Sequence, residues 1–146
     1  MRRLLFLSIF LFLAGCSDVA HTPSGTVKKF FDSQHSGDMA NIKGACTPDY
    51  YRRWIGSHLG TVADAGKVFA YDREHFKTEP ESLRRLEKRL ETYLKTLPKK
   101  EVVFLREGAP EPKVRLLTME VNGKTRYATL RETEGFWKIE RISDEP

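Results

Sequence analysis

The hydrophobic pattern of the chain changes its period near Lys100. Before that residue, apolar side chains recur at the three- and four-residue spacing of amphipathic helices; after it, they fall in short runs rich in β-branched and aromatic residues. The second part also contains Asn122-Gly123, the dipeptide most typical of a tight β-hairpin, because both turn positions need a positive φ. The sequence therefore predicts an α+β fold in which N-terminal helices precede antiparallel strands.

Turn residues divide the second part into four strands. Gly-Ala-Pro-Glu-Pro at 108–112 is poorly suited to regular pairing and is expected to end the first strand. The Asn-Gly dipeptide and a turn at 132–135 separate the later strands. The predicted strands cover residues 102–105, 113–121, 124–131 and 136–142. Together they form a four-stranded antiparallel meander.

The first part carries several helix-start and helix-stop signals. Thr22-Pro23 and Thr47-Pro48 each combine a capping hydroxyl with proline at the first helical position. Gly37 is expected to end the first helix, and Asp38 is expected to cap a short second one. Residues 61–78 have a weaker pattern, for which a helix is favoured over a short strand and a loop.

A long amphipathic helix is predicted at about 79–97, just before the meander. Thr78 and Glu81 have the spacing of a capping box, and a stripe of leucines follows. The stripe is shorter than the three or four heptads of a coiled coil, so we expect this helix to pack on the protein's own sheet. Its opposite face is basic and carries Arg84, Arg85, Lys88, Arg89 and Lys95. The basic face is interpreted as a solvated surface, and its functional alternative is docking on acidic lipid or glycan.

The N-terminal segment has the composition of an export signal. Arg2 and Arg3 precede an apolar run at 4–13, interrupted only by Ser8. This run is shorter than the roughly 20 residues that a transmembrane helix needs. A basic start, a short apolar run and a small-residue exit are typical of a cleavable signal at 1–15.

The signal ends in Leu13-Ala14-Gly15-Cys16, which resembles the bacterial lipobox residue for residue. The resemblance implies cleavage before Cys16, a diacylglycerol on its thiol and a third acyl chain on its amine. Residues 16–21 would then tether a single domain, 22–146, to a membrane. Ser17 is similar to the pattern for sorting to the outer membrane, facing the periplasm. The alternative is an ordinary secretory signal with a chance cysteine.

The net charge limits the expected classes of partner, and the cysteine content limits the expected disulfide and thiol chemistry. Removal of the signal takes away two arginines and no acids, so the formal net charge falls from +5 to +3. We therefore expect no nucleic-acid partner, and the mildly basic surface fits anionic lipid or acidic glycans better. Cys46 is the only other cysteine, so no intramolecular disulfide is expected. It is predicted to be buried, with a catalytic or intermolecular thiol as the alternative.

Helices followed by such a meander resemble the nuclear-transport-factor-two-like, or cystatin-like, α+β roll, and more narrowly small bacterial lipoproteins of that superfamily. The resemblance is carried by 22–31, Ser36-Gly37-Asp38, Asn122-Gly123-Lys124 and Gly135-Phe136-Trp137-Lys138-Ile139. The long helix at 79–97 departs from compact members of the family. The resemblance implies a curved sheet around the first helix, with a cone-shaped hollow between them. The candidate lining residues are Phe30, Phe31, Tyr51, Trp54 and Trp137, and ordinary core packing is the alternative for them.

Catalytic and metal-binding motifs are absent from the sequence. It contains no Gly-x-Ser-x-Gly, Walker loop, CxxC or His-Glu-x-x-His motif. His58 lies on an apolar helical stripe and is interpreted as partly buried and hydrogen-bonded. Asp72 with Glu74, and Glu132 with Glu134, have the pairing that a glycosidase needs, but they are expected in loops and turns.

The sequence thus predicts a non-enzymatic binding or envelope-assembly protein, without a metal or a cofactor other than the lipid on Cys16. Its predicted partners are the membrane and a protein or envelope component. The first alternative is a carrier of a small apolar ligand in the hollow. The second is a small isomerase-like enzyme, which has only the range of activities of the superfamily in its favour.

Overall fold

In a computed structural model, which describes residues 21–60 and 67–146, five helices precede one four-stranded sheet. The helices are α1 (Pro23–Ser36), α2 (Met39–Ala45), α3 (Pro48–His58), α4 (Lys67–His75) and α5 (Pro80–Leu94). The strands are β1 (Val102–Glu111), β2 (Val114–Val121), β3 (Lys124–Thr133) and β4 (Phe136–Ser143). They pair antiparallel in the order β1-β2-β3-β4, which confirms the α+β class and the meander. The signal, the lipobox and residues 61–66 of the predicted helix lie outside the described residues.

The predicted starts of the first three helices are confirmed. Each cap side chain accepts a hydrogen bond from the backbone N–H three residues further on: Thr22 from Gly25, Asp38 from Asn41 and Thr47 from Tyr50, at 3.0, 3.0 and 3.3 Å. These bonds satisfy backbone donors that a helix N-terminus leaves without intrahelical partners. Short-range chemistry therefore determines where α1, α2 and α3 start.

The start of α5 differs from the prediction. Thr78 does not cap it, because its hydroxyl donates to the carbonyl of His75, at the end of α4, over 3.2 Å. The N–H of Glu79 donates to the same carbonyl over 2.8 Å, and α5 begins at Pro80. The capping box is thus replaced by a tight α4–α5 connection, and the helix ends at Leu94 rather than at 97.

The apolar stripe of α5 is buried, but its main neighbours are helices. Leu86, Leu90 and Leu94 are almost completely inaccessible to solvent. α5 packs chiefly on α4 and α1 rather than on the sheet, which corrects the expectation from the sequence. The helices that mainly contact the sheet are instead α1, on β1, β2 and β4, and α2 and α3, on β4.

Both later hairpins turn through two residues with positive φ. Asn122 and Gly123 have φ values of 51° and 76°, as the dipeptide predicts, and Glu134 and Gly135 have values of 53° and 82°. The predicted break at 108–112 is wrong, because β1 continues to Glu111 with register shifts along the way. β1 is an edge strand, where Pro110 can be accommodated without losing a hydrogen bond to a second neighbour.

Gly37 gives a first prediction. Its φ is 70°, and a Cβ placed there would lie 2.9 Å from the carbonyl oxygen of Glu91 on α5. Gly123 has a similar φ, but a Cβ there would meet nothing within 4 Å. We expect Gly123→Ala to lower the free energy of unfolding by about 1–2 kcal/mol, the cost of a left-handed alanine. Gly37→Ala should cost a further ~1–3 kcal/mol, because α1 and α5 must move apart. Urea unfolding followed by circular dichroism measures both, and equal losses would contradict the close approach of α1 to α5.

Candidate ligand-binding site

A cavity of about 490 Å³ lies between α1, α3 and the strand ends that carry the β2–β3 hairpin. This volume falls within the roughly 300–1,000 Å³ of small-molecule sites. The residues that line it are Phe30, Phe31, Gln34, Tyr50, Trp54, Ser57, His58, Lys100, Val121, Asn122, Lys124, Arg126 and Ile142. They come from both halves of the chain, so the cavity exists only once the sheet has closed against α1 and α3.

Four aromatic side chains, Phe30, Phe31, Tyr50 and Trp54, form what we call the aromatic floor. The rings of Phe30 and Phe31 meet edge to face with centroids 5.3 Å apart, and those of Phe30 and Trp54 do so at 6.0 Å. The ring of Tyr50 lies 6.1 Å from that of Phe30. Such contacts hold aromatic rings in fixed orientations. Phe30, Phe31 and Trp54 are also core residues, only 1%, 7% and 6% exposed, so the floor is the edge of the hydrophobic core where it borders the cavity.

Lys100, Lys124 and Arg126 form a cationic rim, and none of the described lining residues is acidic. The ammonium of Lys100 donates to Oε1 of Gln34 over 3.2 Å and lies 5.5 Å from the ring centroid of Phe31. Burial, reinforced by the positive charge of Arg126, lowers the pKa of Lys100. Arg126 also forms an ion pair with Asp144, an exposed residue near the C-terminal end.

The β2–β3 hairpin places the rim. Asn122 and Glu101 exchange two hydrogen bonds of 2.9 Å, one from the N–H of Asn122 to the carbonyl of Glu101 and one from the N–H of Glu101 to Oδ1 of Asn122. Because Lys100 precedes Glu101 and Lys124 follows the turn, these bonds hold the two lysines at the same end of the sheet. The hairpin residues thus determine the charge of the cavity mouth.

His58 is held by its own helix. Its Nδ1 lies 2.8 Å from the carbonyl oxygen of Trp54, so Nδ1 carries the proton and donates it there. The imidazole also packs against the indole of Trp54, with ring centroids 4.5 Å apart. Burial lowers the pKa of His58, which keeps the ring neutral at pH 7. The histidine therefore contributes a neutral polar group to the cavity wall.

The predicted lining residues divide into two groups. Phe30, Phe31 and Trp54 lie on the aromatic floor, whereas Tyr51 and Trp137 are not among the residues that line this cavity. The hydroxyl of Tyr51 instead donates to Glu87 on α5 over 2.6 Å. Neighbouring residues of a helix project about 100° apart, so Tyr50 faces the cavity in place of Tyr51.

Trp137 lies at the wrong end of β4 for the cavity. The residue of β4 that lines the cavity is Ile142, five positions further along the strand and therefore roughly 16 Å away. The indole of Trp137 instead packs under the guanidinium of Arg115, whose central carbon is 5.0 Å from the ring centroid. Trp137 is thus on the strand that reaches the cavity, but at the other end of it.

The predicted basic surface on α5 is largely paired with carboxylates. Arg84 binds Glu81 and Lys95 binds Glu91, each over 2.7 Å. Arg85 forms an ion pair with Asp72 on α4. Arg89 is half-buried, and Lys88 is exposed. Paired charges weaken the argument that this face attracts acidic lipid or glycan.

Asp72 is a buried structural group rather than the loop acid that the sequence suggested. It lies within α4 with a fully inaccessible side chain, and Arg85 binds both of its carboxylate oxygens over 2.7 to 3.1 Å. The hydrogen bonds from Arg85 lower the pKa of Asp72 below its usual value near 3.8. Glu74 is exposed on the same helix, so the two acids do not form a catalytic pair.

This ion pair gives a second prediction. Asp72→Asn should lower the free energy of unfolding by about 1–3 kcal/mol, because charge-assisted hydrogen bonds that join α4 to α5 are lost. Glu81→Gln, which disrupts an exposed pair on α5, should cost less than about 1 kcal/mol. Since the pKa of Asp72 is lowered on folding, its contribution is present above its ordinary pKa and is lost as the pH falls through the lowered value. Thermal unfolding at pH 7 and at decreasing pH measures both effects. Equal losses for the two variants would show that the buried pair has no special role.

Residues 21–60 and 67–146 give little support for a reactive thiol, a metal site or a membrane-spanning helix. The thiol of Cys46 is buried, and burial raises its pKa to about 12, so it is not a nucleophile at neutral pH. No cluster of three or more potential metal ligands occurs within the described residues. In the same part of the chain, every helix is too short or too polar to cross a bilayer.

A second depression, of about 370 Å³, lies beside the start of α3. It is lined by Thr47, Asp49, Arg53, Thr129, Glu140 and Arg141. The guanidinium of Arg53 donates to the carbonyl of Glu140 over 2.8 Å, and residues of both charge signs share the depression. It lacks the apolar surface of the first cavity, which remains the stronger candidate.

No protein-family profile matches the chain, and comparison with curated proteins and with solved structures gave no significant match.

Proposed function

We propose that this protein is a lipid-anchored envelope protein whose domain binds a small ligand with an apolar body in the cavity above the aromatic floor. The observation that carries the proposal is a preformed cavity of about 490 Å³ with an apolar base and polar groups at its mouth. Ligand sites commonly combine these two features. Of the non-enzymatic functions that the sequence predicts, the cavity favours the ligand carrier.

The proposed location depends on the lipobox. A single acyl chain gives marginal membrane binding, whereas the three chains that the lipobox implies would anchor the domain stably. The tether at 16–21 would hold the domain close to the membrane surface. A location on the outer membrane, facing the periplasm, follows from Ser17. The packing of α1 on the sheet is compatible with a cystatin-like roll, which we include in the proposal.

The groups around the cavity favour binding over catalysis. Acid–base catalysis needs a positioned group with a pKa suited to proton transfer. None of the described lining residues is a carboxylic acid, and the Nδ1 proton of His58 is engaged with a helix carbonyl. Asp72 is neutralised by Arg85 and does not line the cavity. An isomerase-like activity therefore has less support than ligand binding.

The test uses a neutral apolar dye, N-phenyl-1-naphthylamine, whose fluorescence rises in apolar surroundings. The protein is the mature-length chain, residues 16–146 with Cys16→Ser, which contains every described helix and strand. Ser57 is exposed on α3 and lines the cavity, so Ser57→Phe places a large ring at the mouth. Arg52→Phe is the matched control, because Arg52 is exposed on the same helix and does not line the cavity.

We expect saturable dye binding by the parent chain and by Arg52→Phe, and at least about tenfold weaker binding by Ser57→Phe, since one blocked apolar contact of about 1.4 kcal/mol has this effect. Circular dichroism and thermal unfolding verify that all three chains fold. Equal dye affinity for the three chains, or no saturable binding by the parent, would contradict the proposal.

A further inference from the structure

We propose that the natural ligand of the cavity is a single-chain amphiphile with an anionic oxygen headgroup, a carboxylate or a phosphate, that pairs with Lys100 while its apolar tail lies on the aromatic floor. The inference rests on the proposed function, because it specifies the chemical class of the ligand for the same cavity. It is carried by the separation of apolar and cationic groups within the lining.

The apolar and cationic parts of the lining meet at Lys100. Its ammonium lies over the ring of Phe31, at 5.5 Å from the centroid, so the charge is at the border of the aromatic floor. The floor continues from Phe31 through Phe30 to Trp54. A tail placed on these rings brings a headgroup at its end to the ammonium. This arrangement suits a molecule with one apolar end and one charged end.

The charges at the mouth favour an anion. Lys100 is half-buried, its hydrogen-bond acceptor is the neutral Gln34, and no carboxylate from the described part of the chain lies within ion-pair distance of it. Burial, and after it the positive charge of Arg126, lower the pKa of Lys100, as expected for an ammonium with no carboxylate beside it. An anion in the cavity would offset both the burial of the Lys100 charge and its repulsion by Arg126. Lys124 and Arg126 add positive potential, which attracts anions to the mouth.

The remaining polar groups fit the same headgroup. The side-chain amides of Gln34 and Asn122 and the hydroxyl of Ser57 line the cavity and can donate hydrogen bonds to oxygen atoms. Among the described residues, one carboxylate forms an ion pair with the cationic rim. It belongs to Asp144, which binds Arg126 and has a 74% exposed side chain. A cationic ligand would meet three like charges at the mouth, and a neutral ligand would leave Lys100 without a counter-charge.

The test compares ligands of one chain length in displacement of the neutral dye at pH 7.5. The ligands are dodecanoate, dodecyl phosphate, dodecanol and dodecyltrimethylammonium, each below its micelle concentration. We expect both anions to bind at least about tenfold more tightly than the alcohol, because a charge-assisted hydrogen bond contributes more than a neutral one. The cation should bind most weakly. The tighter anion identifies the headgroup as that of a carboxylic acid or a phosphate ester.

Two lysines provide matched variants. Lys100→Gln should reduce the preference for the anions over dodecanol to within about threefold, whereas Lys100→Arg should retain most of it because it keeps the charge. Lys99→Gln removes a neighbouring charge that pairs with Asp32 over 3.4 Å and does not line the cavity, and it should leave the preference unchanged. Raised salt should weaken the binding of the anions more than that of dodecanol.

The outcomes separate the two proposals. Equal affinities for dodecanol and the anions, or an equal loss for Lys99→Gln and Lys100→Gln, would overturn the anionic ligand while leaving ligand binding intact. Failure of every dodecyl compound to displace the dye, together with failure of the dye to bind, would overturn both.

Discussion

Replacement of Cys16 by serine is expected to abolish incorporation of fatty acid into the protein. In bacteria grown with an alkyne-tagged fatty acid, the parent chain should carry the tag, and Cys16→Ser should show only background labelling. The physical reason is that, in the proposed lipoprotein, Cys16 would supply both attachment points, its thiol directly and its amine after cleavage. Intact-mass measurement should also find that the leader, residues 1–15, has been removed from the parent chain but not from the variant.

Cys46→Ser is the matched control for this experiment. Cys46 is the only other cysteine, and its side chain is buried next to β4. We expect full labelling of this variant, because a buried thiol with a raised pKa is not a site of acylation. Labelling that persists in Cys16→Ser, or that disappears in Cys46→Ser, would contradict the lipobox interpretation.

Leu90→Ala is expected to destabilise the fold strongly. Leu90 is fully inaccessible to solvent and lies in the middle of α5, between Leu86 and Leu94. Its truncation removes buried apolar surface and leaves a cavity, and together these effects cost about 2–5 kcal/mol. Urea unfolding measured by circular dichroism gives the free energy of unfolding directly, and the midpoint should fall with little change in slope.

Leu105→Ala is the matched control, because it makes the same substitution at an exposed position. Leu105 is on β1 with a 55% exposed side chain, so we expect a change within about 0.5 kcal/mol. A loss below about 1 kcal/mol for Leu90→Ala would mean that α5 is not an integral part of the core. An equally large loss for Leu105→Ala would mean that the outer side of β1 is covered by another surface.

Features that depend on neighbouring residues were predicted well from the sequence. The caps at Thr22, Asp38 and Thr47 and the Asn122-Gly123 turn involve residues within three positions of each other, so their chemistry is visible in the sequence. The change of period at Lys100 indicated the fold class for the same reason. Each of these features is confirmed by the described part of the structure.

Errors arose where the sequence pattern allowed more than one partner. Thr78 fits a capping box by spacing, but its hydroxyl donates to the carbonyl of His75, three residues before it at the end of α4. The break predicted at 108–112 ignored that β1 is an edge strand, which accommodates proline. The leucine stripe of α5 shows that this face is buried, but it does not show which element covers it. The sheet was therefore predicted as its partner, whereas α5 packs chiefly on α4 and α1.

The candidate site shows the same division. Phe30, Phe31 and Trp54, which the fold resemblance suggested as lining residues, do border the cavity, whereas the cationic rim was not predicted. Lys100 and Lys124 are brought to one mouth by the hydrogen bonds between Glu101 and Asn122, which depend on strand register. A signal was present, since a lysine just before β1 and basic residues just after the Asn-Gly turn must lie at the same end of a meander.

The fluorescence of Trp54 in a chain that lacks the other tryptophan provides the most direct test of ligand binding in the cavity. The protein contains two tryptophans, and Trp54 lines the cavity whereas Trp137 does not. In the mature-length chain with Trp137→Phe, dodecanoate should change the emission of Trp54 with saturation, at the affinity found by dye displacement. In the reciprocal Trp54→Phe chain, the emission of Trp137 should stay constant over the same range. An unresponsive Trp54, or an equal response from Trp137, would contradict the proposal that the ligand binds on the aromatic floor.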